Sequence, residues 1–319
     1  MSIKKERCNF NISNLISLLL KKVLFFILFS SIGFAQNSIE KDTSYTVQST
    51  FAKDRKKFPF IQIAKVCKDK NVIEEKEIVY KEIDSRGLYV DVFYKKSKKL
   101  NPAVVLVHGG GWKSGNKSQM ESLGNAMATK GYSCFAVEYR LSPEAQYPAA
   151  VLDIKEAIQF IRMNALKYNV DATKIAILGC SSGGQLAALI GTSNSTPGSS
   201  VQAIIDIDGI LAFKHPESQE GKVAGLWLGG DYESIPEIWK EASALTHVDQ
   251  NTPPILFINS DMPRFHAGRT DMIEILNKYN IYNEVKTISN APHSFWFFDP
   301  WFTTTVDYSV QFLNRIFNK

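Results

Sequence analysis

Lys174-Ile-Ala-Ile-Leu-Gly-Cys-Ser-Ser-Gly-Gly-Gln-Leu-Ala-Ala-Leu-Ile190 decides how the chain is read: a short apolar run meets a glycine turn and continues as a helix. Within it, Gly179-Cys-Ser-Ser-Gly183 fits Gly-x-Ser-x-Gly, the bend that lifts a serine hydroxyl off the end of a strand. A serine is a weak nucleophile until the backbone holds it towards a base. Glycines at 179 and 183 let neighbouring main chain approach a serine in strained φ/ψ, and the helix start beyond offers free N–H groups to developing negative charge. The competing meaning of such a turn is a phosphate loop, but no Gly-Lys-Ser/Thr follows here.

Outward from that stretch, continuous apolar runs recur at Ala103–Val107, Ser133–Val137, Ile175–Leu178, Ala203–Ile207 and Ile255–Ile258. Unbroken runs are expected where helices cover both faces of a parallel sheet. Helical patterns lie between them at Lys117–Lys130, Ala149–Tyr168, Gln185–Gly191 and Thr270–Tyr279, with a closing helix at Phe302–Phe317. Ahead of them, Glu77–Tyr80 and Leu88–Tyr94 alternate around Ser85-Arg-Gly87, which predicts a hairpin at a sheet edge. The sum is one α/β domain over 76–319, a mostly parallel, doubly wound sheet. Residues 213–248, with Trp227 and Trp239, are too long for a simple connection and predict a small cap insertion shaping a pocket. Residues 36–75 show no sustained period and read as a leader.

At 319 residues there is room for a substantial core. The formal net charge is +5, yet residues 1–35 hold five cations against Glu6, so only +1 belongs to the rest. That balance offers no case for nucleic acid, and the basic clusters Lys53–Lys57 and Lys95–Lys99 read as solvated loops. The basic start, the apolar run Val23–Phe29 and the small residues Gly33 and Ala35 predict a signal peptide cut near Ala35/Gln36, hence export without stable membrane insertion. Retention as an uncleaved anchor is the lesser alternative, because Leu15–Leu20 lengthens the apolar stretch. Beyond that point Cys134 and Cys180 sit in apolar runs and read as buried free thiols, and with Cys67 they make no disulfide framework.

The run Ala103–Val107 leads straight into His108-Gly-Gly-Gly-Trp112. A tetrahedral intermediate needs preorganised donors for its oxyanion, and glycines can aim their amides inward. The candidate donors are the N–H groups of Gly110, Gly111 and Ser182. The base must lie downstream, and His293, in Asn290-Ala-Pro-His-Ser-Phe295 after the alternating stretch Asn283–Ile288, is the candidate. His266, beside Arg264, suits substrate or loop contacts better than proton transfer. For the acid, Asp261 follows Ile255–Ile258 and is favoured, with Asp208 in Ile207-Asp-Gly209 as the alternative and Asp271 trailing as a turn residue.

These residues resemble the α/β-hydrolases, in the branch of hormone-sensitive-lipase-like and of feruloyl or acetyl-xylan-type esterases. The likeness rests on His108–Trp112, on Glu138-Tyr-Arg-Leu-Ser-Pro-Glu144 with Tyr147-Pro-Ala149, on Gly179–Gly184, and on Pro292-His-Ser-Phe295. It implies carboxylic-ester hydrolysis by Ser181, His293 and an aspartate, with neither metal nor organic cofactor. The family's acid loop is usually Gly-x-x-Asp followed by Val-Pro. Here the chain has Asn259-Ser-Asp-Met-Pro-Arg-Phe-His266, so Asp208 stays open. An exported member of this branch implies an acylated plant cell-wall glycan or a small ester as substrate, with Trp112, His266 and Trp296 as candidate contacts. Phe and Trp after a histidine are as readily pocket wall or core. A non-catalytic binding protein on the same scaffold is the competing class, since fold does not fix function. A general small-ester hydrolase would also carry these motifs, whereas a peptidase of the same fold would usually add a propeller or large cap that 319 residues are too few to hold.

Overall fold

The computed structural model describes residues 42, 44–65, 69–84, 86–193 and 198–318. The expected signal peptide and Cys67 lie outside the described residues. In chain order the elements are α1 (Val47–Asp54), β1 (Gln62–Ile63), β2 (Ile73–Ile83), β3 (Arg86–Tyr94), β4 (Asn101–Val107), α2 (Glu121–Thr129), β5 (Ser133–Val137), α3 (Ala149–Met163), β6 (Val170–Cys180), α4 (Ser182–Thr192) and β7 (Ala203–Ile207). The chain continues through α5 (Gly221–Leu228), α6 (Pro236–Glu241), β8 (Ile255–Ser260), α7 (Arg269–Lys278), β9 (Asn283–Ile288), β10 (Phe298–Asp299) and α8 (Trp301–Phe317).

Eight strands form one sheet in the order β2-β3-β5-β4-β6-β7-β8-β9. The hairpin β2/β3 is antiparallel and β3 joins β5 antiparallel, after which every neighbour is parallel. This is the α/β-hydrolase arrangement. Alternation along β4 shows why its run is unbroken: Ala103, Val105 and Val107 pack with Ile154, Ile158 and Leu186 of α3 and α4. Val104 and Leu106 face the opposite layer, with Leu123 and Met127 of α2 and Phe312 and Leu313 of α8. Each fully buried aliphatic side chain contributes about 1.5–3 kcal/mol, so the central strands carry the sheet. β2, at the edge, is only half covered and keeps its alternation.

Two expectations change in the structure. The helix predicted to reach Tyr168 ends at Met163; Asn169 takes φ 56°, and β6 begins at Val170. Ala165-Leu-Lys-Tyr168 has the composition of a helix, but Tyr168 is drawn into the core edge-on against Tyr94 and Phe135. Residues 36–75 are not simply a leader. Thr46 caps α1 with a reciprocal Ser49 bond, and β1 pairs antiparallel with β10. Phe51 meets Phe298 at 5.9 Å and Phe58 meets Trp301 at 5.6 Å, so these aromatics bind the segment to the far end of the chain. The described part of it belongs to one compact unit with the sheet, Lys41–Lys319.

Between β7 and β8 the chain builds α5, α6 and a 3-10 turn at Ala244–His247. Its aromatic residues bury Trp227 and Trp239 around Phe213. Cys134 and Cys180 are both buried, as their apolar runs predict. Among the described residues no helix is long and apolar enough to cross a membrane, and no group of three His, Cys, Asp or Glu could hold a metal ion.

Candidate active site

The bend between β6 and α4 places Ser181 at φ 57°, ψ −124°. Such a conformation costs a non-glycine residue on the order of 1–3 kcal/mol, so packing must impose it. It does so through glycine: a Cβ at Gly179 would run into the Gly183 carbonyl, and one at Gly183 into the carbonyls of Val107 and His108. Ser181 N–H donates to Ile207 at 2.8 Å, pinning the bend to the neighbouring strand. Cys180, next in the chain, is fully buried; desolvation and the nearby Asp206 and Asp208 push its thiol well up, so it stays protonated.

His293 reaches Ser181 from the loop after β9, with Nε2 2.8 Å from Oγ. Its Nδ1 lies 2.9 Å from Asp208 Oδ2. Asp208 follows β7, the strand beside β6, at φ 50°, and is buried. Its carboxylate also accepts from Ser260 N at 2.8 Å and Ser260 Oγ at 2.6 Å, so a buried group is held by donors on both oxygens. With Nδ1–H given to Asp208, Nε2 is left to accept the Ser181 proton. The nearby Asp206 is different: burial, then the neighbouring Asp208 charge, push its carboxyl well above the usual range.

Of the two candidate acids, the structure brings the alternative Asp208, and not the favoured Asp261, to the histidine ring. Asp261 lies one strand further out, after β8, and is exposed; its Oδ2 accepts from Asn290 N at 2.6 Å. It braces the histidine loop, while Asp208 meets the ring. Ser260, immediately before Asp261, serves Asp208.

The His108–Trp112 loop lies directly against the nucleophile. A Cβ at Gly109 would sit 2.8 Å from the Cys180 carbonyl and 3.1 Å from Ser181 Cβ. Gly110, Gly111 and Trp112 all have positive φ, at 136°, 61° and 59°. The residues of Glu138–Glu144 lie beneath. Tyr139 stacks on His108 at 4.4 Å and donates to its carbonyl at 2.8 Å, and Arg140 makes a two-pronged pair with Asp153 of α3 at 2.8 Å.

The aromatic contacts differ from expectation. Trp112 is buried, stacked on Trp227 at 5.1 Å and 13°, with Nε1 donating to Gln185 at 2.8 Å. Trp296 is also buried and meets the His293 ring edge-on at 5.2 Å. Both are walls behind the site and offer no open ring to a ligand. His266 is half-buried in the 3-10 turn Pro263–His266; burial and the Arg269 guanidinium lower its pKa and favour the neutral ring. The residue that sequence reasoning misses is Phe265. Its ring lies flat on His293 at 3.5 Å and 12°, under the Arg264 guanidinium at 4.5 Å. Arg264 in turn pairs with Glu220 at 2.6 Å. Arg264 and His266 stand out in the sequence by their polarity, and the apolar residue between them does not.

The family model described as BD-FAE matches residues 90–264, more than half of the chain. The chain belongs to the BD-FAE family. Among curated relatives, this BD-FAE member is 27% identical to "Esterase LipC" of Mycobacterium tuberculosis over 226 residues, covering 65% of this chain and 54% of that protein. It is 28% identical to "Esterase LipQ" of the same organism over 174 residues, 50% and 41% of the two. The chain thus spans about half the length of the curated relatives it matches. Among solved structures, it overlays "Truncated form of carbohydrate esterase from gut microbiota" with TM-score 0.67 at 23% identity, covering 80% of this chain and all of that one. It also overlays an "acetyl ester-xyloside bifunctional hydrolase from Caldicellulosiruptor lactoaceticus" with TM-score 0.65 at 20% identity, covering 75% and 96%. At those identities the overlays establish the shared fold.

Proposed function

We propose that the protein is a serine carboxylic-ester hydrolase in which Ser181, His293 and Asp208 form the catalytic trio. The carrying observation is the pair of short contacts on one imidazole, 2.8 Å to Ser181 and 2.9 Å to Asp208. Ser181 Oγ attacks the ester carbonyl carbon as its proton passes to His293 Nε2. Negative charge on the carbonyl oxygen is met by the amides of Gly110, Gly111 and Ser182. The C–O bond to the alcohol then breaks, the leaving oxygen takes the proton from Nε2, and water activated by the same ring releases the acid. Asp208 keeps Nδ1–H in place and stabilises the imidazolium.

The substrate class is an acylated glycan of the plant cell wall, carrying acetyl or feruloyl groups, met after export. Three observations support it. The overlaid structures are named as a carbohydrate esterase and an acetyl ester-xyloside bifunctional hydrolase. The basic and apolar amino-terminal stretch has the form of a signal. A cavity of about 660 Å³ in the 213–248 insertion is lined by Tyr232, Trp239, Lys214 and Lys222, a mixture of rings and hydrogen-bonding groups suited to a sugar. That insertion contacts the site, because Val223 adjoins Gly111 and Glu220 holds Arg264. Turnover of p-nitrophenyl acetate by wild type and Ser181→Ala tests the reaction, and equal rates would end the ester reading. Acetylated xylan, acetylated pectin and methyl ferulate, assayed in parallel, assign the acyl and glycan class.

A further inference from the structure

We propose that the amino-terminal arm is a working part of the catalytic site, and that Tyr45 is a positioning residue clasping the oxyanion loop to the histidine loop. The inference rests on the ester-hydrolase reading above. It starts from a weakness: Gly109, Gly110 and Gly111 have no side chains to pack, and two of them sit at positive φ. A glycine run loses more freedom on ordering than any other, so the aim of its amides depends on what is fixed behind it.

Tyr45 supplies that fixture by three groups at once. Its backbone N–H donates to Ser114 Oγ at 3.0 Å, and the Ser114 N–H donates to the Gly110 carbonyl at 3.1 Å. Its carbonyl accepts from Gln119 Nε2 at 2.8 Å. Its hydroxyl lies 3.4 Å from Ser294 Oγ, on the residue after His293, and its ring is 6.2 Å from Phe297. Ser114, Gln119 and Ser294 are all buried. Either side of Tyr45 the arm is secured again: Asp42 pairs with Lys113 at 3.2 Å, and Ala64 N–H donates to the Phe297 carbonyl at 2.8 Å. One residue thus touches both loops whose separation sets the distance from oxyanion donors to the serine–histidine pair. A misplacement of even an ångström there is costly to the transition state and nearly silent in ground-state binding.

Steady-state kinetics on p-nitrophenyl acetate, normalised by active-site titration with a phosphonylating reagent, test the clasp. Tyr45→Ala, which removes the ring and hydroxyl, and Gln119→Met, which removes the donor to its carbonyl, are each expected to lower kcat on the order of 10- to 100-fold with KM changed by less than about threefold. Tyr45→Phe, keeping ring and backbone bonds, is expected to retain at least about a third of wild-type kcat. Normal kcat per titrated site in both Tyr45→Ala and Gln119→Met would overturn the proposal. So would a rate loss fully matched by loss of titratable sites, since that marks a fold defect and not a positioning one. Absence of Ser181-dependent turnover in the wild type is a separate outcome, and it sinks the ester reading itself.

Discussion

The proposed nucleophile and its partners are built in opposite ways. The elbow around Ser181 is a contiguous run, and its geometry follows from rules acting within a few residues: a strand ends, two glycines clear the space, a helix begins. The histidine pocket is assembled from distant pieces, with Asp208 after β7, Ser260 at the end of β8, Phe265 in a short turn, and His293 with Trp296 in a late loop. No segment of that pocket has a form of its own; each is placed by what it packs against. Local sequence therefore places Ser181 sharply, while the imidazole and carboxylate reach it only through tertiary closure.

Four substitutions and one control can break or sharpen that contrast. Asp208→Asn should lower kcat by about 10⁴-fold by giving the imidazole the wrong tautomer. Asp261→Asn should cost only about threefold, since it loosens a single exposed bond; comparable losses from the two would reverse the acid assignment. Gly183→Ala should destabilise the fold by roughly 3 kcal/mol, because rigid main chain occupies the new methyl's place. Its control is Gly221→Ala in α5, where a Cβ meets nothing and the urea midpoint should hold. Phe265→Ala removes the flat stack on His293 and should reduce kcat/KM about tenfold, with folding largely kept; an unchanged pH–rate profile and rate would show that the stack is incidental.

The smallest effect concerns Asp206. Its folded pKa is raised above the ordinary value of 3.8, so the folded state holds a proton that the unfolded state gives up. Stability from this group is complete below that ordinary value and is lost as pH rises towards the folded pKa. Asp206→Asn should accordingly flatten the decline in melting temperature between pH 4 and pH 8. Parallel curves for variant and wild type would remove Asp206 as the cause.

Much of the fold was legible because periodicity reports burial. Five unbroken apolar runs became five central strands, and the hairpin fell at the edge where alternation survives. The contact of Ser181 with His293 was legible from motif and order. Which aspartate meets the ring was not, since two aspartates each follow a strand and only the order of strands across the sheet brings Asp208 to the ring and leaves Asp261 one strand away. Trp112 and Trp296 suggest substrate contacts by their type, but a sequence does not show which side of a ring the core will claim. The amino-terminal arm is hidden for the same reason: Phe51 and Phe58 look unremarkable until Phe298 and Trp301 are brought beside them.

The pairing of residues 62 and 63 with 299 and 298 has a temporal meaning as well as a spatial one. Among the described strands, the first in chain order, β1, can find its mate only when the last, β10, has been made. A chain halted just after the histidine at 293 would own the serine, the aspartate and the ring, yet lack the edge on which β1 docks. Docking of β1 therefore waits until β10, which follows the histidine loop, has been made.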